Sequence, residues 1–201
     1  MKIVLYCGVL LCLLVACEEE QIPFPKERLY PKVDYPERNY STLNKEFCNF
    51  SFNYPDYMKY KHDSMLVNEK AKHPCWFTLE FPSLGGSLHM TYTDISGEGS
   101  SDKLYDVIKD AYALSEQHNP KSTGRDDQPY HDADRGIYGI TFGVSGDVAS
   151  PYHFVLTDSL NHSLWGSLYF NAKPNSDSLR PVVDFVREDI DKILSSFKWL
   201  D

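Results

Sequence analysis

The chain has 201 residues, 42% of them hydrophobic, and a formal charge of −9. That length suits one domain with tails, because a single core commonly serves roughly 100 to 200 residues. The acidic balance argues against nucleic acid and anionic lipid surfaces as partners.

The only sustained apolar run is Ile3 to Ala16. It is too short for a normal membrane span, which needs about 20 residues. Lys2 in front, an apolar middle and small Ala16 before a cysteine give the layout of a cleavable secretory signal. Leu14-Val15-Ala16-Cys17 resembles the lipobox of bacterial lipoproteins, which implies that Cys17 becomes the first residue and carries acyl chains. Two or more chains anchor stably, at about 0.8 kcal/mol per buried CH₂. Residues 1–16 are therefore read as a lipoprotein signal peptide and set aside. Their loss removes Lys2 and moves the formal charge from −9 to −10.

Cys7 and Cys12 leave with the signal, so Cys48 and Cys75 remain. An even pair in an oxidising compartment predicts a disulfide. It closes a loop of about 28 residues, worth about 3–4 kcal/mol in the chain-entropy model.

Residues 17–40 read as a lipid-anchored, Pro-rich tether, partly extended, with its last part lying across the domain. Residues 41–201 read as a single α+β domain. It opens with two octapeptides of one design, "CNFSFNYP" at 48–55 and "CWFTLEFP" at 75–82. Each places a cysteine and three large apolar residues at alternate positions and ends in proline, the pattern of a half-buried strand stopped at its edge. Were these two strands antiparallel neighbours in register, the thiols would lie at opposite ends. A return strand through 57–63 puts both at the same end and is expected.

"LHMTYTDI" supplies a strand at Leu88–Ile95, and Leu104, Val107, Ile108, Ala111 and Leu114 give one apolar face to a helix over Asp102–Gln117. Residues 119–136 read as a long polar loop. Three strand-like runs follow, at 137–144, 152–159 and 164–170, separated by turn residues in the manner of an antiparallel meander. A last helix is expected from near Ser178, with Pro181 in its first turn and Val182, Phe185, Val186, Ile190, Ile193 and Phe197 as its buried stripe. Long helices on a mostly antiparallel sheet indicate an α+β sandwich.

Motifs for chemistry are sparse. "GVSGD" at 143–147 is not a serine elbow, and "GEG" at 97–99 lacks the third glycine of a nucleotide fingerprint. Asp126, Asp127, His131, Asp132 and Asp134 crowd oxygen ligands without the EF-hand spacing, so they read as a solvated loop with no metal. The histidines lack zinc-site spacing, and no cofactor is implied. Tyr152, His162 and Trp165 are candidate partner-contact residues, since aromatics are favoured at interface centres. The competing reading packs them beneath the two helices.

Behind the lipobox, "CNFSFNYP", "CWFTLEFP", "LHMTY", "SPYHFVLTDSLNHSLWGSLYF", "PNSDSLRPV" and "SSFKW" resemble GldD, the gliding motility lipoprotein family of Bacteroidetes. The resemblance runs from about Tyr35 to the end. A weaker one, in "FSFNYP" and "DKILSSFKW", is to PsbP/Mog1-like sandwiches. The family implies a non-enzymatic lipoprotein of the envelope, most simply the outer membrane. It would be required for gliding and linked to type IX secretion, acting through contacts with other proteins of that machinery. The alternative is a ligand-binding lipoprotein with a PsbP-like cleft. In that bacterial context Ser64, Ser159 and Ser178, each in an Asp-Ser-aliphatic triplet, resemble O-glycosylation sites. The glutamates after Cys17 resemble a surface-export signal, which leaves both sides of the outer membrane open.

Overall fold

A computed structural model describes residues 32–62, 65–66, 69–70, 73–116 and 119–200. Cys17, the signal, most of the tether and Ser64 lie outside the described residues.

Two main sheets and two α-helices form the described part of the domain, so the expected α+β class holds. A three-stranded sheet takes β1 (Tyr40–Asn44), β2 (Phe50–Pro55) and β12 (Lys198–Trp199) in the order β1-β2-β12. A seven-stranded sheet takes β3 (Lys59–His62), β6 (Phe77–Phe81), β7 (Gly86–Asp94), β8 (Ser122–Asp132), β9 (Ile137–Gly146), β10 (Tyr152–Thr157) and β11 (His162–Phe170). Its order is β3-β6-β7-β11-β10-β9-β8, and every neighbouring pair is antiparallel. A short ladder joins β4 (Met65–Leu66) to β5 (Glu69–Lys70). The helices are α1 (Ser100–Glu116) and α2 (Ser176–Ser196).

Strand alternation sorts the large sheet into two faces. One face carries Phe77, Leu79, Leu88, Met90, Phe154, Leu156, Leu164 and Leu168 into the main core. There they meet Phe50 and Phe52 of β2, Val182, Val186, Ile190 and Ile193 of α2, and Phe197. Phe50 and Phe52 each stack on Phe77 and on Phe197, with ring centres 5.6 to 6.4 Å apart. The other face packs Phe142 and Val155 against Ala111 of α1, with Val107, Ile108, Ile140 and Trp165 at the margin. Gly166 is required where β11 passes over Phe154, since a Cβ there would meet that ring at 2.2 Å.

The predicted meander is present as β9, β10 and β11, and the octapeptides supply β2 and β6. Cys48 and Cys75 are bonded, with Cα atoms 5.5 Å apart. The return strand β3 exists but pairs with β6, not β2. Buried Met58 follows β2 at the corner where the chain changes sheets, so β2 and β6 lie in different layers and the disulfide joins those layers.

Three expectations need correction. Residues 122–132 are not a loop but the edge strand β8. An edge strand is solvated on one side and tolerates charges and a proline, so its sequence carries no apolar alternation. Helix α2 starts earlier than Ser178: Asn175 is its N-cap, accepting from the Ser178 backbone N–H at 3.2 Å, and Pro181 sits one turn further in. On α1, Leu114 is exposed, because its position falls on the flank of the packed stripe.

Candidate functional site

The buried stripe of α2 contains one residue that hydrophobic periodicity cannot find. Asp189 follows Val182 and Val186 at helical spacing and is fully buried. Its Oδ1 accepts from the Tyr40 hydroxyl at 2.7 Å and its Oδ2 from the Tyr57 hydroxyl at 2.5 Å. Arg38 Nε lies 3.1 Å from Oδ1. The same guanidinium bonds Glu188 at 2.6 Å and the Phe185 carbonyl at 2.8 Å, and lies 4.0 Å over the Phe185 ring. Tyr35 stacks on that ring at 4.6 Å. Burial, followed by the Asp189 hydrogen bond, pushes the Tyr40 phenol up to about 12 and the Tyr57 phenol higher still. Both phenols therefore stay protonated and donate. The result is a latch that fixes residues 35–40 to the middle of α2.

Tyr152, His162 and Trp165 do not form one exposed patch. Tyr152 is 3% exposed and belongs to the main core. Trp165 projects from the opposite face of the sheet, half-buried beside α1, and donates from its indole nitrogen to Ser167 Oγ at 2.5 Å. His162 hydrogen-bonds the Tyr92 hydroxyl at 2.6 Å and stacks 5.3 Å from Trp199. Burial, with Asp94 and Asp158 nearby, pushes the Tyr92 phenol up to about 12. The reason for the correction is the period of two along a strand: Tyr152 and Trp165 cannot share a face in this register.

Ser159 is exposed at the tip of the β10–β11 hairpin, where its φ is 67° and Asp158 accepts three backbone N–H bonds from Leu160, Asn161 and His162. Ser178 sits in the first turn of α2. A serine–histidine contact exists, His153 Nδ1 to Ser167 Oγ at 3.1 Å, but both residues are buried and closed to a substrate. Of the acidic residues at 126–134, read from the sequence as a solvated stretch, Asp127 pairs with Arg125 and Asp132 with Arg135, the latter at 2.7 Å.

What sequence reasoning missed is an aromatic seam. Tyr105, 67% exposed, and Tyr112 lie two turns apart on one side of α1. Tyr112 packs 5.4 Å from Phe142, and exposed Tyr138 projects from the same face of β9 as Phe142. The seven-residue spacing of the two tyrosines was the available signal.

The family model described as gliding motility lipoprotein GldD matches residues 20–199. The chain belongs to the GldD lipoprotein family. No curated protein matches the chain. A solved structure similar to it is the solution structure of cyanobacterial PsbP (CyanoP) from Synechocystis sp. PCC 6803. The two share 12% identity and a TM-score of 0.45, over 85% of this chain and 98% of that one. Membership of the GldD family makes the protein a gliding-motility-related lipoprotein, hence a lipid-anchored protein of the cell envelope. No helix among the described residues of this GldD chain is long and apolar enough to cross a membrane.

Proposed function

We propose that this GldD-family protein is an assembly or stabilising component of the gliding and type IX secretion apparatus, acting through protein contacts rather than by catalysis. Cys17 carries the lipid and holds the domain at the outer membrane. The observation that supports a contact role is the exposed seam of Tyr105, Tyr112 and Tyr138 beside α1. Large aromatics are the side chains that most often anchor interfaces, and Tyr105 and Tyr138 are exposed, with Tyr112 tying them to the core at Phe142.

The test replaces the chromosomal gene with a Tyr105→Ala, Tyr138→Ala variant and measures colony spreading and secreted protein, with the variant's level followed by immunoblot. Loss of spreading or secretion at an unchanged protein level is the expected result. A complete gene deletion that leaves both processes intact would overturn the reading. Mass spectrometry of the mature N-terminus checks the anchor: an acylated peptide beginning at Cys17 is expected.

A further inference from the structure

A second feature lies on the other side of the sheet and is independent of the contact role. A cleft of about 350 Å³ opens between the first half of α2 and strands β8 and β9. That volume is at the small end of the range for ligand sites, roughly 300 to 1,000 Å³. Its floor is bare backbone at Gly143, where an added Cβ would meet only ordinary contacts, the nearest at 3.7 Å. Val148, Leu179 and Val183 give it an apolar wall.

Two guanidinium groups, Arg180 and Arg187, border it. They stand seven residues apart on one helix face, about 10 Å along the axis. Both are exposed, and neither lies within ion-pair distance of a carboxylate among the described residues, although Asp191, one turn on, acts on Arg187 electrostatically. Arg187 is nonetheless held in place: its guanidinium lies 4.7 Å over the ring of buried Tyr152. Here Tyr152 acts from beneath the surface, as a platform. Asp126 and Asp184 also line the cleft, and Asp126 accepts from Gln128 at 2.6 Å. Those two carboxylates offset the two guanidiniums, so a highly charged anion is disfavoured and a single carboxylate must sit directly on the guanidinium groups.

We infer that this cleft binds a monocarboxylate with an apolar body, its anion on Arg187 and Arg180 and its apolar part against Leu179, Val183 and Val148. A free organic acid and the C-terminus of a peptide share that chemistry. Guanidinium pairs carboxylate through two parallel N–H···O bonds, a geometry that an amide or a single point charge does not reproduce.

The test uses the full-length chain in detergent solution, with methyl NMR of Leu179, Val148 and Val183 as the local readout. The probes are N-acetyl-leucine, its uncharged amide, inorganic phosphate, and a tetrapeptide ending in leucine with a free carboxylate. N-acetyl-leucine should shift those methyls saturably, and the amide should bind at least about 10-fold more weakly, the cost of losing a charge-assisted bond. Arg180→Gln combined with Arg187→Gln should abolish the difference between acid and amide while the remaining methyl spectrum stays that of the folded chain. A tetrapeptide that binds more tightly than N-acetyl-leucine identifies a chain terminus, and equal affinity identifies a free acid. Equal binding of acid and amide, preference for phosphate, or shifts that persist in the double variant would overturn the proposal.

Discussion

The two helices treat the sheet between them very differently. Helix α2 buries six side chains along its length, is capped by Asn175, and receives the latch at Asp189. Helix α1 buries only Ala111 and Ser115 and carries exposed tyrosines on its flank. A helix committed to the core has little surface left to offer, whereas a loosely seated one can present its side chains without loss of stability. The α2 side is therefore the structural half of the domain, with a cleft near the helix start, and the α1 side is the half that carries the exposed tyrosines.

The sharpest way to break this contrast is at the latch. Asp189→Ala leaves the Arg38 charge and two phenols without their shared acceptor, and should cost about 3–5 kcal/mol in chemical denaturation. Asp189→Asn keeps an acceptor and should cost less, which separates lost charge from lost packing. Next come paired truncations. Ile190→Ala in α2 should cost about 2–5 kcal/mol, while Ile108→Ala in half-buried α1 should cost less than half as much. A similar loss at the two sites would erase the distinction between the helices.

Alkaline unfolding gives a subtler reading. Tyr40 and Tyr92 have phenols raised from 10.0 to about 12, by burial first and by neighbouring carboxylates second. The unfolded chain releases those protons sooner, so their contribution is complete below pH 10 and is lost as the pH rises toward 12. Tyr40→Phe should flatten the fall in denaturation midpoint across that window. The smallest effect belongs to the seam: Tyr105→Ala should change stability by no more than about 0.5 kcal/mol. A larger loss would mean that Tyr105 serves the fold instead of a partner.

Much of the architecture was legible. The alternation of Cys48, Phe50 and Phe52, and of Cys75, Phe77 and Leu79, marks strands whose inner faces now meet in one core. The spacing of Val182, Val186, Ile190 and Ile193 marks a helix. Asp189 was not legible, because a carboxylate in a hydrophobic stripe reads as an outward position. Its acceptor role depends on Tyr40, 149 residues away. Strand β8 was hidden for the opposite reason: its side chains stay largely in water on both faces, so only pairing with β9 reveals it. The cleft had no local signal at all, since Arg180 and Arg187 come from a helix and Gly143 from a strand more than thirty residues earlier.

The small sheet has a consequence for the order in which the protein is made. Its middle strand, β2, pairs with β1 on one side and with residues 198–199 on the other, and Phe197 fills the core between the layers. The first and last described strands of the domain are thus stitched to the same neighbour. The small sheet therefore closes only once residues 197–199 have been made, which leaves β2 half-paired until late in folding. Pairing between strands so far apart in the chain is the kind of contact that forms slowly, and the Cys48–Cys75 bond ties β2's layer to the large sheet by a much shorter loop.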